Sequence, residues 1–160
     1  MSALVLGIGN LLIGDEAVGC RAVEELSRRY TMPPEVECVD GGTAGFELLP
    51  LVGGRKQVIL IDALKDDRAP GTVIRVEDEH VPRAFLNRTT PHQLGICDVL
   101  AAAEFTETMP DRLILFGIEP KNLDIGLELS LEVQTAMEKV VHAVVEQLRQ
   151  FGYEVKPNGI

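Results

Sequence analysis

Cysteine is scarce. The three thiols, Cys20, Cys38 and Cys97, are an odd number at unrelated spacings, so neither a disulfide framework nor a CxxC metal knuckle is available and free thiols are expected. The familiar nucleophile motifs are missing too. No G-x-S-x-G elbow occurs, and the serines are Ser2 at the terminus, Ser27 inside an expected helix and Ser130 at a helix start. Cys97 stands five residues beyond His92, a spacing that turns two helical side chains apart, which argues against a cysteine-histidine dyad. The absence of H-E-x-x-H excludes an ordinary zincin. Long apolar runs are lacking as well: the stretch 3–6 is cut by Gly7, no basic segment precedes it, and nothing approaches the roughly 20 apolar residues of a membrane span. A cytoplasmic protein without membrane insertion is expected. Positive charge is in short supply, with 15 Lys and Arg against 25 Asp and Glu and a net charge of −10 spread along the chain. Such a chain repels phosphate backbones, which excludes nucleic acid as a partner.

What is present reads as a globular chain. With 160 residues, 46% hydrophobic and 25% charged, it can bury roughly 70% of its unfolded surface around one core. A single domain over residues 1–160 is expected, with 151–160 as a C-terminal tail. Apolar strand patterns alternate with helical ones, which predicts an α/β fold. Strands are expected at 3–8, 36–39, 57–61 and 113–118, and the near-continuous apolar run at 57–61 suits a central strand covered on both faces. Residues 71–76 alternate polar and apolar, as an edge strand does. Asp15 and Glu16 open a helix with Val18, Ala22, Val23, Leu26 and Tyr30 at helical spacing, stopped by Pro33 and Pro34. A turn at Gly41 and Gly42 leads to a short helix around Phe46 and Leu49. Thr90, Pro91 and Gln93 combine a cap, a proline at the first helical position and a capping-box glutamine, so a helix runs through Leu100 with His92 in its first turn. Ser130 caps a long final helix.

Three chemistry-bearing residues fall where strands end or helices begin: Glu16, Asp62 and His92. Two carboxylates and an imidazole are a mixed oxygen and nitrogen donor set suited to nickel or zinc, with positions left for water or substrate. Taken alone, Glu16, like Asp15, also fits an acid stabilising a helix N-terminus. Asp62 is harder to explain that way, because it closes a buried strand at the sheet edge where ligands bind in α/β folds. His92 at a helix N-terminus is favoured as a neutral, ligand-competent ring. His80, in an acidic run, and His142, on the final helix, are expected at the surface. Asp40 is another strand-end carboxylate, followed by a turn able to accept an extended peptide. Gly7-Ile8-Gly9-Asn10 invites a dinucleotide-binding reading, which fails in detail. The third glycine would be Leu12, and Asp40 lies 31 positions beyond Gly9 where ~20 is expected. These glycines more simply allow the backbone to turn so that the following loop presents Glu16 across the top of the sheet.

Four segments together, Gly7-Ile8-Gly9-Asn10 with Gly14-Asp15-Glu16-Ala17-Val18-Gly19, Asp40-Gly41-Gly42-Thr43-Ala44-Gly45, Ile61-Asp62-Ala63 and Thr90-Pro91-His92-Gln93-Leu94-Gly95, resemble the motifs of the nickel-iron hydrogenase maturation proteases. The likeness is greatest to the type serving membrane-associated uptake hydrogenases. It runs in order from residue 1 to about residue 150, with Ala17 where many relatives have glycine. The resemblance implies a three-layer α/β/α fold of the phosphorylase/hydrolase-like kind, with a mixed, mostly parallel five-stranded sheet; residues 71–76 are the candidate antiparallel strand. It implies an endopeptidase that removes the C-terminal extension of the hydrogenase large-subunit precursor after nickel insertion, a class sometimes described as aspartyl-type. Glu16, Asp62 and His92 would then be the nickel ligands, with Asp40 a further residue needed for cleavage. The nickel would come with the substrate, and zinc or cadmium could take its place in a crystal. A metal-sensing chaperone that binds the precursor without cutting it is the alternative.

Overall fold

The computed structural model describes residues 2–86 and 91–159, with residues 91–94 described for their helical backbone only. In chain order the elements are β1 (Ala3–Ile8), a 3-10 turn (Gly14–Ala17), α1 (Val18–Arg29), β2 (Tyr30–Thr31), β3 (Val36–Gly42), a second 3-10 turn (Phe46–Leu48), α2 (Leu49–Val52), β4 (Gln57–Ala63), β5 (Val73–Glu77), α3 (His80–Leu86), α4 (Pro91–Phe105), β6 (Arg112–Ile118), α5 (Leu131–Gln150) and β7 (Lys156–Pro157).

Five strands form one sheet in the order β3-β1-β4-β6-β5. The first four are parallel, and β5 alone runs antiparallel, pairing Val73 with Ile118 and Glu77 with Ile114. The edge strand expected at 71–76 is therefore the inverted one. Alternation along each strand divides the core in two. Val5, Ile59, Ile61 and Ile114 pack under α1 and α5, whereas Leu4, Leu6, Leu60 and Leu115 pack under α2, α3 and α4. Both faces of β1 and β4 are thus covered, which is why these strands read as continuous apolar runs rather than alternating ones. The result is the three-layer α/β/α arrangement.

The final helix starts where Ser130 caps it, its Oγ accepting the Val133 N–H. The first helix departs from expectation in two ways. Asp15 and Glu16 belong to a 3-10 turn ahead of it, and it ends at Arg29, before the prolines, because Tyr30 and Thr31 pair with Pro157 and Lys156. That pairing ties the C-terminal segment back to the body, as do buried Val155 and a Tyr153 hydroxyl bonded to Gln57. Helix α3 lies in the acidic region where no helix was expected, and buries Val81, Ala84 and Phe85 at helical spacing. Among the described residues no helix is long and apolar enough to cross a membrane.

Candidate functional site

The carboxyl ends of the four parallel strands meet at one pole of the sheet. There β1 runs into Gly9, whose φ of 148° favours glycine, and an added Cβ would lie 1.8 Å from the Glu16 carbonyl oxygen. Gly19, in the first turn of α1, is as confined: its Cβ would stand 2.1 Å from the Ile61 carbonyl. Neither position has room for a side chain, since real Cβ contacts do not fall below about 3 Å. The G-x-G segment is therefore a packing device that seats the 3-10 turn and α1 on the ends of β1 and β4. That turn packs against β4 and carries Glu16, which is buried.

Asp62, the penultimate residue of β4, lies opposite Gly117 of β6 and is fully buried. Asp40 closes the neighbouring side of the pole from β3 and is exposed; its Oδ1 accepts the N–H of Gly42, itself at φ 53°. A shallow cleft of about 350 Å³ opens here, lined by Gly9, Asn10, Leu11 and residues 40–43. Helix α4 begins at the same pole, since a Cβ on Gly95 would sit 3.5 Å from the Gly45 Cα, just past that cleft. His92 is the second residue of this helix, and its side chain lies outside the described residues. Glu16 and Asp62 are thus brought onto adjoining elements, and Asp40 lines the cleft at the same pole. His80 and His142 are exposed and remote from the site, as expected. Among the described residues no cluster of three or more His, Cys, Asp or Glu is arranged to hold a metal. What the described part offers is a pair of shielded carboxylates, a hard anionic donor set for which water competes little.

The thiols do not supply a nucleophile. Burial pushes the Cys20 thiol well up, with the hydrogen bond and charge of Asp40 adding to the effect, and its Sγ–H donates to the Gly9 carbonyl at 3.6 Å. Burial, helped by the Glu37 charge, raises Cys38 to about 11, and burial with Asp98 raises Cys97. All three are protonated at neutral pH, and a thiol is a poor nucleophile beside its thiolate.

Two buried carboxylates escaped the sequence reading as organisers. Asp15 is fully buried and accepts four hydrogen bonds. Its Oδ2 takes the N–H groups of Lys121 and Asn122 and the Ser130 hydroxyl, each at 2.8 Å, and its Oδ1 takes the Ser130 N–H at 2.7 Å. It fastens the loop between β6 and α5 against the turn that carries Glu16. The Glu119 Oε1 accepts the N–H groups of Asp66 and Arg68 at 2.8 and 2.9 Å, holding the loop that leaves β4 after Asp62. An acid in a helix-entry position was the available signal for Asp15. Nothing local announces partners more than 100 positions away.

Comparison with known proteins gives one consistent answer. The family model described as hydrogenase maturation protease matches residues 20–147, a span that includes Asp40, Asp62 and His92 but begins after Glu16. The hydrogenase 2 maturation protease of Escherichia coli is 44% identical over 158 residues, covering 98% of this chain and 96% of that one. A hydrogenase expression/formation protein of Thiocapsa roseopersicina is 41% identical over 152 residues, 93% of this chain and 68% of its own length. Among solved structures, the hydrogenase-maturating endopeptidase HybD of E. coli superposes with a TM-score of 0.95 at 44% identity, covering 99% of this chain and 98% of that chain. The [NiFe] hydrogenase maturation protease HybD of Thermococcus kodakarensis gives 0.74 at 26% identity, over 92% and 99% of the two chains.

Proposed function

Because the chain belongs to the hydrogenase maturation protease family and is an endopeptidase of it, we propose that it removes the C-terminal extension of the nickel-iron hydrogenase large-subunit precursor, and that nickel already inserted in that precursor is what it recognises. The observation that carries this reading is the division among the carboxylates at the pole. Asp62 and Glu16 are buried, whereas Asp40 stands exposed on a cleft open enough to take an extended chain. Shielded carboxylates attract a divalent cation strongly, because the surrounding dielectric is low.

Glu16, Asp62 and His92 accordingly act as ligands that engage the precursor's nickel and fix the precursor on the enzyme. Asp40 meets the peptide at the cleft, as a general base or as a group that holds the scissile segment in place. Held there, the ion would supply Lewis-acid polarisation of the scissile carbonyl or of a water molecule beside it. No seryl or thiolate attack is needed. The alternative of a non-cleaving chaperone is set aside, because the relatives are proteases and endopeptidases.

The test is to incubate the protein with nickel-loaded precursor, metal-free precursor and a synthetic peptide spanning the cut, and to follow intact mass. Loss of the extension from the nickel-loaded form alone is expected, insensitive to serine and cysteine protease inhibitors. Efficient cutting of the isolated peptide in the presence of chelator overturns the proposal.

A further inference from the structure

Surface leucine and isoleucine side chains are concentrated beside the candidate site. Leu12, Leu123, Ile125 and Leu127 are 61%, 39%, 91% and 63% exposed. They come from two segments fastened together, since the Gly126 N–H donates to the Leu12 carbonyl at 2.8 Å and the Gly14 N–H to the Gly126 carbonyl at 3.0 Å. The four hydrogen bonds to Asp15 hold the rest of this loop. A loop anchored by a buried carboxylate could fold its apolar side chains inward; this one holds them out to water. A contiguous exposed apolar patch marks a binding surface, and a rigid one loses little conformational entropy when it is covered.

We infer that this patch is where the folded body of the hydrogenase large-subunit precursor docks, an inference that rests on the function proposed above. Continuity with the cleft argues for that occupant. Leu11 lines the cleft that holds Asp40, Leu12 belongs to the patch, and Glu16 follows shortly after in the 3-10 turn Gly14–Ala17. A body seated on the patch therefore delivers its C-terminal extension to the cleft without a gap. Charge argues for the chemistry of the docking face. Leu127 also lines a groove of about 520 Å³ between α1 and α5, where Arg21 pairs with Glu24 and Glu25 pairs with Arg28 and Arg29, so that Glu128 there and Asp124, exposed in the loop, leave the rim net acidic. The matching precursor surface has an apolar centre and a basic rim. The rigid loop thus accounts for selection of one folded substrate by a protease whose cleft is shallow.

The experiment compares the full-length protein with Ile125→Asp and Leu127→Asp, and with Phe105→Asp, an 89% exposed residue at the end of α4 on the opposite pole. Calorimetry measures binding to nickel-loaded precursor, and mass analysis gives kcat and KM. Ile125→Asp is expected to keep the wild-type melting temperature and kcat, while Kd and KM rise by about tenfold, the effect of losing one apolar anchor. Phe105→Asp should change nothing. Unchanged precursor affinity in both loop variants overturns the inference, even if the wild type cleaves normally. If the wild type fails to cleave, the function proposed above fails, while the binding arm still reports on the surface. Wild-type self-association at tens of micromolar that Ile125→Asp abolishes, or patch-dependent binding to phosphatidylglycerol vesicles, also overturns it, assigning the patch to a second copy or to lipid.

Discussion

Replacing Asp15 with asparagine separates the architecture of the site from its chemistry. The carboxylate sits fully buried with four donors on it, three on Oδ2 and one on Oδ1. The carboxamide can turn its oxygen toward the three, but its NH2 then faces the Ser130 N–H, donor against donor. Loss of the charge roughly halves the strength of the three bonds that survive, and one buried N–H is left without an acceptor, at about 1–3 kcal/mol. The sum is a destabilisation of about 2–4 kcal/mol, or a fall of about 5–15 °C in melting temperature for a chain of this size. Ser130→Ala removes one of the four bonds and the cap on α5, and should cost about 1–2 kcal/mol. In the double variant the two effects should fall short of additive, since they share a bond. Urea unfolding gives the energies, and trypsin cutting after Lys121 reports whether the 119–130 loop has come loose. If Asp15→Asn unfolds within about 0.5 kcal/mol of wild type, the usual range for inconsequential surface changes, and Lys121 stays resistant, then Asp15 is not the anchor described.

Asp62→Asn, Glu16→Gln and His92→Ala should each fold and lose cleavage by about 100-fold or more, while Asp40→Asn should impair cleavage but keep its calorimetric affinity for divalent metal; normal processing by Asp62→Asn refutes the ligand assignment. Gly9→Ala should lower the urea midpoint by the equivalent of at least about 3 kcal/mol, because its Cβ meets the Glu16 carbonyl at 1.8 Å, whereas Gly54→Ala, with nothing within 4 Å, should cost only about 1 kcal/mol. With Cys38 raised to about 11, its thiolate fraction at pH 8 is about a hundredth of that of an unperturbed thiol, so iodoacetamide should leave it unlabelled in the native protein and modify all three cysteines in denaturant; rapid native labelling contradicts the burial described. Arg28 and Arg29 hold Glu25 and Glu138 below the ordinary value of 4.5, so the stability these pairs contribute is present above that pH and lost as pH falls below it. Arg29→Gln should therefore flatten the acid side of a melting-temperature profile, and an unchanged fall between about pH 5 and 3 shows the pairs to be inconsequential.

Elements governed by nearby residues were the legible ones. Each of the five main strands, the helix beginning at Pro91 and the Ser130-capped final helix emerged from local periodicity and capping chemistry, although the expected cap Thr90 and the Gln93 side chain lie outside the described residues, and Asp62 could be placed at the end of a strand for the same reason. Helix α3 was not legible, because only Val81, Ala84 and Phe85 mark its buried side and Pro82 interrupts the pattern; its helicity comes from packing on the sheet. Tyr30 continues the helical spacing set by Val18, Ala22 and Leu26, but pairing with β7 from the far end of the chain takes it into a strand. At the site, Glu16 and Asp40 could be picked out by position, yet their difference in burial could not. It depends on Gly9 and Gly19 letting one loop press down while the other stays open. The exposed patch was invisible for a similar reason. Leucines in a loop look like core until the fold shows that Asp15 has already used the inner side.

The inverted edge strand contributes no candidate residue, yet it sets the phase of everything after it. In a uniformly parallel sheet each strand rises to the pole where ligands bind, one helix descends, and the helix begins at that pole. Because β5 descends instead, the chain leaves it at the opposite pole beside Leu113, α3 must climb, and α4 then descends to the foot of β6. An even number of helices is needed to bring the chain back into step. Insertions or deletions in the 64–90 region that change the count of passes, rather than its length, would reverse α4 and carry the residue at its start to the wrong end of the molecule. For this geometry loop length matters less than the number of crossings, which cannot change by one.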